Sequence, residues 1–290
     1  MRLGSLTIVG TGIRLAQLSI EARVSIESAD QVLYSVADAV TERAIKKLNS
    51  TAESLQPFYG PNKFCLVTYT EMVERILLFV RKGMKVCAVF YGHPGIFAFS
   101  SHEAIRIARQ EGYPAEMFPA PSAEDCLFAD LGIDPAAHGC QSFEATDFLI
   151  RRRKFDPFSP LILWQIAFIG NWKLEKMDCS PNIVVLVEEL KKHYDARHMT
   201  VLYQAAQYSS CDPIIQHVPL SKIAKASIDG VTTLYVPPKA LAPLDYAMVD
   251  RLGIPREYFR KPEQSSERPD GRSKQSASIR KRRRSRTAQN

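Results

Sequence analysis

No stretch of this sequence is long and apolar enough to span a bilayer. The longest run free of Asp, Glu, Lys, Arg and His, Pro157 to Trp172, is interrupted by Pro160 and Asn171 and falls short of the ~18 apolar residues a membrane helix needs. The first apolar run, Leu6 to Val9, stops at a Gly-Thr-Gly and lacks the longer core of a signal peptide, so a cytoplasmic protein is expected. Cys-x-x-Cys pairs are also missing. The cysteines, Cys65, Cys87, Cys126, Cys140, Cys179 and Cys211, are scattered with no histidine at metal-ligand spacing, which predicts reduced thiols and no metal site. Acidic residues are outnumbered, and the net charge is +7. Glu263 to Asn290 alone contributes +6 of it, nine Lys or Arg against three Asp or Glu, so the body of the chain is close to neutral. The cluster Arg280, Lys281, Arg282, Arg283, Arg284 and Arg286 reads either as a solvated charge run or as a site for RNA or an acidic peptide through counterion release. No aromatic residue lies in that tail, so base stacking is unsupported and no nucleic-acid partner is expected.

What is present is enough to bury a core: 290 residues, 46% hydrophobic and 24% charged, which excludes a disordered chain. Apolar runs alternate with helical patterns. SLTIVG (5–10) precedes an Ala, Glu and Leu-rich stretch from Leu15 to Ala29, and QVLY (31–34) precedes a helical pattern over 39–48. Thr68 with Glu71 reads as a capping box opening a helix with Met72, Ile76 and Val80 on one face, ended by Gly83. VCAVF (86–90) is a continuous β-branched run, as expected of a strand covered on both faces. It leads into the turn YGHPG and a helix capped by Ser100 with Glu103. This is the pattern of a parallel α/β half.

The second half has strands at LILWQI (161–166), TVLYQA (200–205) and TTLYV (232–236), and a short helix capped by Ser122 with Asp125. Ile183, Leu186, Val187, Leu190 and Tyr194 fall on one helical face. The expected organisation is an N-terminal α/β lobe (1–120), a C-terminal α/β lobe (121–240), a short extension (241–262) and a tail (263–290). The tail has Ile279 as its one large apolar side chain and is expected to be disordered, since it cannot offset its ordering entropy.

Two turns could carry chemistry. Gly10-Thr11-Gly12 follows the first strand but lacks the third glycine and acidic partner of a dinucleotide fingerprint; on the residues alone a tight strand-to-helix turn is the better reading. Tyr91-Gly92-His93-Pro94-Gly95 sits at the carboxyl end of a buried strand, where open α/β sheets bind ligands, so a site is expected there. His93 by itself reads as a hydrogen-bonded turn histidine rather than a general base.

LTIVGTG, FYGHPGIF, PSAEDCLFADLGIDP and VTTLYVPPK together resemble the tetrapyrrole-methylase superfamily of S-adenosylmethionine-dependent methyltransferases and, within it, the borosin peptide-backbone α-N-methyltransferases. The resemblance covers roughly residues 5–240. It implies a two-lobed α/β fold with the cofactor in the cleft between lobes, bound by Tyr91, His93, Ile96, Ser122, Ala123, Gln165, Ala206, Thr232 and Thr233. The methyl donor would be S-adenosyl-L-methionine and the product S-adenosyl-L-homocysteine. A peptide N–H is a very weak acid, so methylation requires removing its proton and stabilising the imidate; the resemblance points to Tyr59, Tyr69 and Tyr91 for this work. A phenol titrates near 10 and needs a cation or donor beside it to ionise. Without the resemblance these three read as core-edge tyrosines with satisfied hydroxyls.

The chain departs from the family pattern in two places. Cys65 stands where the family carries an arginine, and Gln56 where it carries a further tyrosine; Lys63 or Arg151 to Arg153 are candidates to replace the cation. The tail offers no apolar run to be methylated, so a separate precursor peptide is expected, with the enzyme a homodimer or a heterotetramer with two precursors. Two alternatives are a tetrapyrrole or ribosomal RNA methyltransferase of the same fold, and an inactive scaffold that binds cofactor and peptide.

Overall fold

The computed structural model describes residues 3–173 and 179–259. The chain divides into two units, Met1–Leu241 and Ala242–Asn290. The expectation of a disordered tail over 263–290 lies outside the described residues.

The first unit contains two five-stranded sheets. One is built from β1 (Ser5–Gly10), β2 (Gln31–Ser35), β3 (Glu53–Ser54), β4 (Lys85–Phe90) and β5 (Ala115–Phe118), with helices α1 (Ile20–Glu27), α2 (Ala39–Leu48), α3 (Cys65–Arg81) and α4 (Phe99–Gln110). Its strand order is β3-β2-β4-β1-β5, all parallel. Strand β4 lies between β2 and β1, and its pleat explains the uninterrupted apolar run. Val86, Ala88 and Phe90 join Met72, Ile76 and Val80 of α3 and Ala104 of α4 on one face; Cys87 and Val89 join Ala22 and Ile26 of α1 and Ile45 of α2 on the other.

The second sheet follows α5 (Ala123–Leu131) and α6 (Pro135–His138). It comprises β6 (Gln141–Glu144), β7 (Leu161–Trp164), β8 (Met199–Gln204), β9 (Ile214–Pro219) and β10 (Thr233–Val236), with α7 (Ala145–Ile150) and α8 (Ser180–Leu190). Its order is β6-β7-β10-β8-β9, parallel at β6-β7 and antiparallel elsewhere. The face formed by Leu161, Leu163, Leu202, Leu234 and Val236 packs on Ile183, Leu186 and Leu190 of α8. Ile162, Trp164, Val201, Tyr203 and Tyr235 pack on Leu127 of α5.

Several expected boundaries move. Leu15 to Ala29 is not one helix: a 3-10 turn, Leu15–Gln17, precedes α1, which starts after Ser19, whose hydroxyl accepts the Ala22 N–H at 3.1 Å. Neither Thr68 nor Ser100 is a cap, because α3 and α4 begin earlier, at Cys65 and Phe99. The Cys65 N–H donates to the distant Trp172 carbonyl at 3.0 Å, which fixes the start of α3, and Glu71 is taken by Lys63. The third capping box forms as expected, with Ser122 and Asp125 exchanging bonds at the start of α5.

In the second unit, α9 (Tyr246–Arg251) is capped by Asp245, which accepts the Met248 N–H at 3.0 Å. Arg256 grips Asp250 and lies over the Tyr246 ring, 5.2 Å from its centroid.

Candidate active site

A cleft of about 400 Å³ opens within the first unit. Its walls are the segments that leave the carboxyl ends of β1, β2, β4, β7 and β8, the start of α5, the Gly230–Thr233 approach to β10, and Tyr59, Tyr69 and Met72 from around α3. This is where a parallel sheet presents ligands, because each strand there gives way to a turn with free backbone groups.

The turn after β4 is fixed by backbone bonds. The Gly92 N–H donates to Gly12 O at 3.0 Å and the Gly12 N–H donates to Gly92 O at 3.3 Å, both glycines at φ +69°, a conformation a side chain disfavours. A Cβ on Gly10 would lie 2.2 Å from Gly92 O. The Gly10-Thr11-Gly12 turn therefore braces the YGHPG turn, and only Ile13 after it reaches the cleft. His93 accepts the Gly95 N–H at Nδ1, 2.9 Å away, and His102 Nε2 lies 2.8 Å from Gly95 O. That makes His93 a turn-locking residue whose ring borders the cleft.

Of the residues expected at the cofactor, Tyr91, His93, Ile96, Ser122, Ala123, Gln165, Thr232 and Thr233 all line the cleft. Ala206 does not; its neighbours Ala205 and Gln207 do. Two of the hydroxyls among them, those of Ser122 and Thr232, are already engaged. Ser122 Oγ bonds Asp125 at 2.6 Å, and Thr232 Oγ1 joins Gln204 Nε2 at 2.9 Å and the Asp229 carboxylate at 3.0 Å. These groups shape the wall more than they offer free donors.

Sequence reasoning missed the aromatic wall. Phe97 and Trp164 line the cleft with ring centroids 5.7 Å apart. Phe97 and Gln165 have φ of +50° and +56°, a left-handed conformation costing roughly 1–2 kcal/mol for a non-glycine residue and found at sites where surrounding structure enforces it. Nothing in a Phe or Gln signals this in advance. The expected strand LILWQI accordingly stops at Trp164.

Of the tyrosines expected to act together, the structure pairs two. Tyr59 and Tyr69 meet edge to face at 6.4 Å, with Phe99 on the other side of Tyr69 at 6.3 Å. Tyr91 lines the same cleft but faces Cys126 and Asp38. Burial raises all three phenols: Tyr91 is pushed up to about 12, Tyr59 is raised by burial and the nearby Cys65, and Tyr69 is driven well above the usual range by burial, with Tyr59 and Cys65 adding to it.

None of the candidate cations, Lys63 and Arg151 to Arg153, lines the cleft, and Arg152 is exposed. Lys63 Nζ donates to Phe58 O at 2.7 Å and pairs with Glu71; Arg151 and Arg153 both bind Asp147, at 2.7 and 2.8 Å. Cys65 donates its thiol to Trp172 O at 2.8 Å, and its titration is raised by burial. Beyond Tyr69 and Gln165 lies a second pocket of about 200 Å³, lined also by Cys65, Glu144, Thr146, Phe168, Asn171 and Trp172. Among the described residues, no group of His, Cys, Asp or Glu could hold a metal ion, and no helix is long and apolar enough to cross a membrane.

Residues 5–209 match the family model of the Tetrapyrrole (Corrin/Porphyrin) Methylases. Over 258 residues the chain is 42% identical to a methyltransferase/ribosomally synthesized cyclic peptide omphalotin A precursor of Omphalotus olearius, covering 87% of this chain and 62% of that one. It is 40% identical over 266 residues to a methyltransferase/ribosomally synthesized type I borosin cyclic peptide precursor of Serendipita vermifera subsp. bescii, covering 89% and 64%. The chain thus spans less than two thirds of these relatives' length. Among solved structures, uroporphyrin-III-C-methyltransferase from Thermus thermophilus superposes with a TM-score of 0.57 at 15% identity, over 84% of this chain and 99% of that one, which speaks to the fold alone.

Proposed function

As the chain belongs to the tetrapyrrole (corrin/porphyrin) methylases, we propose that it transfers methyl groups from S-adenosyl-L-methionine to backbone amides of a peptide, as a borosin-type peptide N-methyltransferase. The observation that carries this reading is the 42% identity, over 87% of the chain, to a methyltransferase fused to a ribosomally made cyclic peptide precursor. The cleft suits the donor: about 400 Å³ is ample for a nucleoside with an amino-acid arm, and its walls combine small residues at strand ends with the Phe97 and Trp164 rings. Tyr91, His93, Ile96, Ser122, Ala123, Gln165, Thr232 and Thr233 would hold it, together with Ala205 and Gln207 where Ala206 was expected. When bound, it supplies an electrophilic methyl on a cationic sulfur and leaves as S-adenosyl-L-homocysteine.

The chain's own part is proton handling and exclusion of water. Tyr69, with Tyr59 edge-on to it, is the group in this reading that takes the amide proton at its phenolic oxygen. Burial desolvates the amide along with the phenol, so a base that is costly to ionise becomes a strong one once ionised. Tyr91 is the hydroxyl this reading assigns to the developing imidate oxygen, since the N–H groups of Tyr91, Gly92, Gly95 and Ile96 are already bonded to Ser35 O, Gly12 O, His93 Nδ1 and His93 O. The relatives carry their peptide in the same chain by name. A precursor supplied as a separate chain is part of this proposal, and residues 263–290, basic and nearly free of large apolar side chains, are not themselves its substrate. The working form is read as a cytoplasmic homodimer, or a heterotetramer with two precursors.

The test is incubation of the purified protein with S-adenosyl-L-methionine and an apolar peptide, read by fragment-ion mass spectrometry. Methyl increments on successive backbone nitrogens, absent with Tyr69→Phe, are expected. A specific observation favours a second reading: Cys65 leaves the raised phenols without a neighbouring fixed cation, which suits a scaffold that binds without turnover. It predicts an unmodified peptide that co-purifies with the protein, and turnover restored by Cys65→Arg.

A further inference from the structure

The pocket beyond Tyr69 has a lining that selects for charge. Glu144 contributes a carboxylate whose Oε2 accepts the Asp147 N–H at 2.6 Å, Gln165 and Asn171 are amide side chains, with Asn171 Oδ1 also accepting the Lys173 N–H at 3.2 Å, Thr146 has a hydroxyl that accepts the Gly170 N–H at 3.2 Å, and Phe168 and Trp172 are aromatic. None of the described residues lining it is a lysine, arginine or histidine. Among the described residues, Lys63 is committed to Phe58 O and Glu71, Lys173 lies over the Phe64 ring at 5.5 Å, Arg151 and Arg153 bind Asp147, and Arg152 is exposed and lines neither pocket. A carboxylate, amide carbonyls and aromatic faces around a small space are the partners of a planar, multiply donating cation.

Resting on the peptide-methylation reading for its source, we propose that this pocket binds the guanidinium group of an arginine side chain in the peptide substrate, and so sets a cation beside the Tyr69 phenol. The groups acting on that phenol are Tyr59 from the turn before α3 and Cys65 one helical turn earlier, with Glu144 on the lining of the pocket and Tyr91 and His93 on that of the cleft. None of them carries a fixed positive charge. A guanidinium in the pocket is the group that favours the phenolate over the phenol. Cys65 keeps the pocket open by presenting a short side chain, tied to Trp172 O, where a longer one would fill it. The peptide class follows: an apolar peptide with an arginine close to the amide being methylated.

The pocket is tested without turnover by titrating the full chain with N-methylguanidinium chloride, against N-methylurea as neutral isostere, at constant ionic strength. Saturable binding of the cation alone is expected, about tenfold weaker in Glu144→Gln and lost in Cys65→Arg, whose own guanidinium occupies the space. The phenolate absorbance that disappears in Tyr69→Phe is expected to move to lower pH by about one unit or more when the cation is bound, a tenfold change in ionisation. Equal response to the cation and the urea, or an unmoved phenolate transition, overturns the proposal. The source is tested with two peptides differing only by arginine or citrulline. A kcat about tenfold higher for the arginine peptide is expected, with the difference erased in Cys65→Arg. Equal rates overturn the peptide as source while leaving backbone methylation intact. Methylation of neither peptide, nor by Cys65→Arg, counts against the functional reading, and the titration still decides the pocket.

Discussion

The two tyrosine-bearing walls of the cleft are built differently. The Tyr91 wall is held by backbone: paired glycines at positions 12 and 92, a histidine locking its own turn, and Gly10 with no room for a side chain. The Tyr59 and Tyr69 wall is held by side chains: an edge-to-face ring pair, a thiol on a carbonyl 107 residues away, and half-exposed Phe64, Leu66 and Val67 along the same helix start. Backbone-held geometry tolerates little variation and suits a fixed ligand such as a cofactor. Side-chain-held geometry can be retuned by single substitutions and suits a variable one such as a peptide.

The largest effect should come from the adaptable wall. Tyr69→Phe removes the proposed base and is expected to lower kcat about 10²- to 10⁴-fold, with S-adenosyl-L-methionine affinity by calorimetry within about twofold of wild type. A change on the rigid wall should act through stability instead. Gly10→Val pushes a side chain into Gly92 O and Pro94, and thermal unfolding should show a loss of about 2–4 kcal/mol together with weakened cofactor binding. If Gly10→Val leaves stability unchanged, the rigidity assigned to this wall is wrong.

The interior of both sheets was legible in the sequence and their edges were not. The runs at 5–10, 31–34, 86–90, 161–166, 200–205 and 232–236 became the interior strands β1, β2, β4, β7, β8 and β10, covered on both faces. β3, β5, β6 and β9 are the four edge strands; with sequences such as AEMF and QSFE, half-covered, they carry no two-sided apolar signal. The capping boxes show a similar limit. Ser122 with Asp125 formed, but Thr68 with Glu71 and Ser100 with Glu103 did not, because a long-range bond from Cys65 to Trp172 sets one helix start and Glu103 is taken by Arg106. The candidate site was legible where it rests on turns, and its strained Phe97 and Gln165 backbones were not, since their conformation is imposed by packing.

Two smaller effects sharpen the contrast. Gln165→Gly relieves a left-handed backbone at the mouth of both pockets, and should leave stability unchanged or raise it by up to about 1 kcal/mol while lowering cofactor affinity; chemical denaturation and calorimetry on the same sample check both. The smallest is a pH effect. Burial raises the Tyr91 phenol to about 12, whereas the unfolded chain releases that proton near 10. The native state therefore keeps a proton the unfolded state has lost, so the stability involved is complete below about pH 10 and declines as pH rises towards 12. Tyr91→Phe should flatten that alkaline decline in urea unfolding.

The division of labour between the walls is tested most directly by measuring S-adenosyl-L-methionine Kd and single-turnover methylation rate side by side for Tyr91→Phe and Tyr69→Phe. The account predicts a weakened Kd for Tyr91→Phe, and for Tyr69→Phe an unchanged Kd with a rate lowered at least about a hundredfold. Equal changes in Kd for the two variants, or a Tyr69→Phe protein that methylates at the wild-type rate, would contradict it.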